Sequence, residues 1–305
     1  MSRGRRGSAV RAFTIGALGS VLAAAILKGR PPGGIERWTR KSHAGRPLTL
    51  FEGPSYAVGS VAGALASGAG GPAAVAGLGA AAFGALDDLF GDSSSKGLRG
   101  HLAVAGRGEV TTGAIKVAGL AATGLVTACM VDRSQRRTGA MATLMGGAVI
   151  AGSANIANLL DLRPGRALKV VLLLAAPIAA VGRPAHGSHL ATVTAGAAAG
   201  AAVAALPGDL AGRSMLGDTG ANSAGALVGT ALVARTGPRG RLLALTVVTA
   251  LTLASEKVSF TTVIESTPGL RELDALGRSS RLSPMSRQTP ASRPSPAPAT
   301  PQGSL

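Results

Sequence analysis

The sequence predicts an all-α protein, a polytopic bundle of about nine (9–10) transmembrane helices. Two compositional facts and one pattern carry that expectation. Hydrophobic residues make up 46% of the 305 residues and charged residues only 15%, against about 25% charged in ordinary soluble domains. There are 45 glycines and only 2% aromatics. A soluble core built from Ala, Gly, Val and Leu would lack bulk, whereas helices in lipid pack closely through small residues. Apolar runs of near-spanning length also recur along the chain, with basic residues gathered between them, as in membrane loops.

Taken in order, nine stretches read as spans: 9–27, 54–69, 71–86, 111–130, 140–158, 167–182, 189–206, 219–234 and 242–256. The basic start before the first run resembles a signal peptide, but Leu27-Lys28 ends that run without a small-residue cleavage site, so a retained helix is expected. The apolar stretch from Tyr56 to Leu86 is too long for one crossing, and Gly68–Pro72 supplies the turn that divides it. Residues 1–278 thus form one membrane domain. Residues 279–305, rich in Pro, Ser and Arg, are expected to be a disordered tail with little to bury.

With nine spans, 19 of the 31 Lys and Arg fall on the side that owns the larger loops and the C-terminus. The positive-inside rule puts that side in the cytoplasm and the N-terminus outside. Thirteen of the 14 acidic residues share that face, Asp132 being the exception. Carboxylates where an apolar run stops are costly unless paired or bound to a cation, so they are functional candidates. The net charge of +17 does not indicate a nucleic-acid partner, because the basic residues are not interleaved with aromatics. Cys129 is alone in an apolar run, which excludes a disulfide framework and a thiolate metal site.

Three acidic patches return to this face, within residues 85–102, 153–169 and 206–225. Hard Mg²⁺ takes carboxylate oxygens and keeps waters for substrate phosphates, so one or two acids suffice. Asp87-Asp88 and Asp218 offer such oxygens from two helices, and Lys96, Arg99 and Lys116 offer positive charge for phosphate oxygens. Gly217 and Gly220 let backbone approach a phosphate at a helix N-terminus. His43, His186 and His189 read as loop residues. Glu256, Lys257 and Arg271 are weaker candidates for sugar recognition.

The order of these motifs resembles the polyprenyl-phosphate N-acetylhexosamine-1-phosphate transferase family. The matching features are Asp87-Asp88, Lys96-Gly97-Leu98, Lys116 in the next helix, Asn155-Ile156-Ala157-Asn158-Leu159-Leu160-Asp161, and Leu216-Gly217-Asp218-Thr219-Gly220. The resemblance covers roughly residues 28–235. It implies a bacterial plasma-membrane enzyme that transfers a sugar 1-phosphate from a nucleotide sugar, commonly a UDP-sugar, to a polyprenyl phosphate. It implies Mg²⁺, with Mn²⁺ as a substitute, a cytoplasm-facing site, a role in cell-wall biogenesis, and a homodimer as an open assembly. By this resemblance Asp218 and Asp88 would bind the metal, and Asp87, Asp88, Lys116 and Asp161 would form the catalytic group. Lys96, Arg99, Asn155, Asn158, Gly217 and Gly220 would contact substrate.

The chain also departs from that pattern. The family's D-G-x-D-G becomes Asp161-Leu162-Arg163-Pro164-Gly165, with Pro164 in place of the second acid. Met215-Leu216 stands where an aromatic residue usually precedes the metal-binding Asp, and no His-rich loop follows residue 235. These departures point to a divergent branch with another sugar or base. The alternatives are a catalytically degenerate homologue acting as a membrane partner and, less favoured, a transporter, for which broken midplane helices and inverted repeats are lacking.

Overall fold

The structure, a computed structural model, describes residues 3–41, 45–91, 111–137, 139–180 and 188–278. Among these residues a helix lies in each of the nine apolar stretches. The helices are α1 (Arg3–Gly29), α2 (Glu52–Ala66), α3 (Gly70–Phe90), α4 (Thr112–Ser134), α5 (Ala140–Leu160), α6 (Arg166–Ala180), α7 (Ser188–Leu210), α8 (Gly217–Arg235) and α9 (Pro238–Ser255). The short helices α10 (Phe260–Ser266) and α11 (Leu270–Ala275) follow. Strands β1 (Thr39–Lys41) and β2 (Pro47–Thr49) pair antiparallel between α1 and α2. The tail beyond residue 278 lies outside the described residues.

Five of these helices, α1, α3, α4, α5 and α7, are long and apolar enough to cross a membrane. A sixth crossing results if α9 and α10, bent by 94° at their junction, count as one. Leu18, Leu22, Leu144, Leu173, Leu243 and Leu253 are each more than half exposed. An apolar outer surface of that kind is what a lipid-facing bundle presents.

Small residues let the helices touch. A Cβ on Gly16 would sit 2.6 Å from Ala197 O, and one on Gly63 2.5 Å from Ala12 O. α1 is thereby seated against α2 and α7. The same device joins α4 to α5 at Gly124, 2.4 Å from Gly147 O, and α8 to α5 at Gly225, 2.2 Å from Ser153 O. Backbones that close gain dispersion contacts along their length, which is what drives helix association in lipid.

The centre of the bundle is α8. It packs against α2, α3, α5 and α7, and nearly every residue from Gly217 to Ala234 is buried. Asn222, Ser223 and Thr230 are among its buried residues; Thr230 Oγ1 donates to Ala226 O at 2.7 Å, while the Asn222 amide and the Ser223 hydroxyl have no hydrogen-bond partner among the described residues. Helix alternation sorts the polar residues to two ends. At one end Asp132 of α4 pairs with Arg241 of α9 at 2.5 Å. At the other lie Glu52, Asp87, Asp88, Asp161, Asp209 and Asp218, at the ends of α2, α3, α5, α7 and α8.

Candidate functional site

The N-terminus of α8 organises the acidic end. Gly217 opens the helix at φ +60°, a conformation that costs glycine little. Its amide donates to Asp161 Oδ2 at 2.9 Å. A Cβ there would lie 3.0 Å from both carboxylate oxygens of Asp88, so glycine also leaves room for that acid. The preceding residues are held by β2: Thr49 N donates to Arg213 O at 3.2 Å and Met215 N to Thr49 O at 3.1 Å.

Asp88, at the end of α3, caps α8. Its Oδ1 accepts from Asp218 N at 3.0 Å, and its Oδ2 accepts from Thr219 N at 2.8 Å and Thr219 Oγ1 at 2.6 Å. An acid at a helix N-terminus satisfies otherwise unpaired amides and meets the positive end of the dipole. The sequence placed Asp88 on a metal, whereas here both of its oxygens are engaged by α8. α3 reaches this position because Gly84 lies against α8, where a Cβ would be 2.2 Å from Asp218 O.

Asp87, one residue earlier, turns toward α4. Lys116 Nζ lies 3.2 Å from Asp87 Oδ2 and also contacts Asp218 Oδ2. The Asp87 and Asp218 carboxyls are within hydrogen-bonding reach of each other. Three helices thus bring two carboxylates and one ammonium together, with the lysine side chain only 12% exposed. Among the described residues, no group of three or more His, Cys, Asp and Glu is gathered closely enough to hold a metal ion.

Asn155 and Asn158 lie half-buried on the last turns of α5, one face ahead of Asp161. Asp161 is buried. Burial first, then the charges of Asp209 and Glu52, push its carboxyl well above the usual range. Gly220 packs against Gly53, 2.6 Å from a would-be Cβ to the Gly53 Cα, so it serves the α2–α8 contact. Lys96 and Arg99 lie outside the described residues, as do His43 and His186. His189 Nε2 contacts Ser67 O at 3.2 Å at the opposite end of the bundle.

Sequence reasoning missed the pairing of the segment after α9 with α6. Arg166, 3% exposed, forms a fork with Asp274: Nε to Oδ1 at 2.8 Å and Nη2 to Oδ2 at 3.1 Å. Lys169 Nζ donates to Asp274 O at 2.7 Å, and Arg163 pairs with Glu265 at 2.8 Å. These contacts fold residues 260–278 back over the α5–α6 turn. Among the described residues Arg271 pairs with its neighbour Glu272, both exposed to solvent. The one signal in the sequence was the Arg163, Arg166 and Lys169 spacing on one helical face.

No family model matches the chain, and no curated protein matches it.

Proposed function

We propose that this chain is a Mg²⁺-dependent transferase that moves a sugar 1-phosphate from a nucleotide sugar to a polyprenyl phosphate. The observation that carries the reading is the convergence of Asp87, Lys116 and Asp218 from three helices at one end of an apolar bundle. In the full reading the chain crosses the membrane nine times, with its N-terminus outside and this end in the cytoplasm of a bacterial cell. A lipid phosphate at headgroup depth and a soluble nucleotide both reach such a position.

The donor set fits a hard cation. Asp87 and Asp218 offer carboxylate oxygens side by side, and Mg²⁺ completes its shell with water and substrate phosphate. Asp218 and Asp87 would hold it, while Asp88 keeps α8 in place. When bound, the ion neutralises charge on the transferring phosphate. Lys116 holds the two acids and presents positive charge to the same phosphate. Asp161 fixes the start of α8 through Gly217 N, and Asn155 and Asn158 flank it as polar contacts for the nucleotide.

Purified protein in lipid or detergent, given Mg²⁺, polyprenyl phosphate and a panel of nucleotide sugars, should release nucleoside monophosphate and a sugar-pyrophosphoryl lipid. Asp218→Asn should insert normally and lose activity by orders of magnitude. Folded protein that transfers from no nucleotide sugar overturns the proposal. A second reading, a catalytically silent homologue that acts as a membrane partner, draws on Pro164 and on Lys116 closing the acid pair. The same panel separates the two.

A further inference from the structure

A second polar recess lies apart from Asp87 and Lys116. A cavity of about 380 Å³ opens between α1, the start of α2 and the end of α7, and none of Asp87, Asp88, Lys116, Asp161 or Asp218 lines it. Its volume is in the range of small-ligand pockets, about 300–1,000 Å³. Val21, Ala24 and Ala205 form apolar wall. Val21 is 56% exposed, and Leu18, Leu22 and Ile26 continue the same exposed apolar surface along α1. The recess therefore opens onto the face of α1 that a bilayer would cover.

Its polar residues are unusual for an apolar wall. Glu52 lines the cavity and is only 6% exposed. Its Oε2 accepts from Ser214 Oγ at 2.5 Å, but its buried Oε1 has no hydrogen-bond partner among the described residues. A buried carboxyl oxygen without a donor is costly. Lys28 and Arg213 also line the cavity. Both are exposed, and neither forms a salt bridge among the described residues. Lys28 ends α1, where a basic side chain meets headgroup depth.

We propose that this recess binds an ethanolamine phospholipid. The phosphate meets Lys28 and Arg213, the primary ammonium donates to Glu52 Oε1, and the acyl chains run out along Val21 and Leu22. A choline phospholipid carries the same phosphate and chains but no N–H donor, so it leaves Oε1 unpaired. The bound lipid would brace the Glu52–Ser214 contact that sits just before α8. This site is independent of the transferase reading, and its test needs no turnover.

Native mass spectrometry of the full chain, released from micelles containing equal ethanolamine and choline phospholipid with identical chains, decides it. Ethanolamine adducts should exceed choline adducts roughly fivefold, the factor one net hydrogen bond contributes. Glu52→Leu should abolish that preference. Lys28→Ala with Arg213→Ala, both at exposed positions, should lower adducts of both lipids. Equal adducts on the unaltered chain overturn the proposal, as does a preference that survives Glu52→Leu or adducts unchanged by removing both cations. Stronger retention of polyprenyl phosphate, which has no amine, also overturns it and makes the recess a carrier site.

Discussion

Removing the Asp88 carboxylate should loosen the start of α8, and the cost can be worked from its contacts. Asp88→Ala deprives two backbone amides, of Asp218 and Thr219, and the Thr219 hydroxyl of their acceptor. Thr219 is 4% exposed, so water does not readily replace the acid there. The hydroxyl can turn elsewhere; the amides cannot. An unpaired buried donor costs about 1–3 kcal/mol, and loss of an N-cap about 0.5–2 kcal/mol. Because these two scales describe the same bonds, they do not add, and about 3 kcal/mol is expected for Ala. Asp88→Asn keeps one acceptor oxygen but loses the charge that favours a helix N-terminus, so about 1 kcal/mol is expected.

Equilibrium unfolding of micelle-embedded protein, followed by far-UV ellipticity without divalent cation, measures the difference. The order should be wild type, then Asn, then Ala. An Ala variant within about 0.5 kcal/mol of wild type, a typical surface effect, would falsify the capping role. So would Asn proving worse than Ala. A metal ligand behaves differently: Asn would leave stability unchanged without Mg²⁺ and reduce only the stabilisation that Mg²⁺ adds.

Three further outcomes are expected. Gly84→Ala puts a methyl 2.2 Å from Asp218 O, which forces α3 from α8; a loss of about 1–3 kcal/mol and of transferase activity should follow, and normal stability would contradict the packing. Asp132→Ala strands Arg241, which is 1% exposed, and should cost about 3–5 kcal/mol, most of it recovered when Arg241→Met is added; an uncorrected double variant would show that the pair is not what matters. Burial pushes the Asp274 carboxyl up, but its bonds to Arg166 and Arg278 outweigh that and hold it below the usual range. The contribution of a lowered acid is complete above its unfolded pKa, about 3.9, and is lost as pH falls through the lower folded value. Residues 260–278 should resist proteolysis above about pH 4 and become cleavable below it, and protection that falls as pH rises would reverse the argument.

The helices were legible because each apolar run ends at a local mark. Gly68, at φ +90°, divides α2 from α3 where the sequence placed a turn, and Leu27-Lys28 closes α1. The number of membrane crossings was less legible. Among the described residues five helices are long and apolar enough to cross, or six with the bent pair, because α2 and α6 have only 15 residues each and α8 is diluted by Asp218, Asn222 and its glycines. The β1–β2 hairpin escaped notice, since three-residue strands carry no usable alternation. Spatial pairings were the least legible. Arg166 meets Asp274 across 108 residues and Arg241 meets Asp132 across 109. A sequence shows an acid at a helix end, but not that Asp88 will cap a helix by accepting from an amide 130 residues later.

That cap bears on how the acidic end can work. The N-terminus of a helix draws anions because its first amides are unpaired and its dipole is positive there. This explains how Asp88, Asp161 and Asp218 gather at α8 with so few cations beside them. It also means that the simplest phosphate cradle, the free amides of Asp218 and Thr219, is already filled by Asp88. A substrate phosphate must then be held by positive charge, and the one ammonium of Lys116 is already shared between Asp87 and Asp218. When both acids are ionised, two carboxylates and one ammonium leave one negative charge in excess, which repels phosphate. Phosphate transfer at this position therefore requires an added cation between those two acids, whereas a non-enzymatic role requires none. Dependence of nucleotide-sugar binding on Mg²⁺, lost in Asp218→Asn, is the measurement on which that argument stands: binding that is equally strong without a divalent cation would refute it.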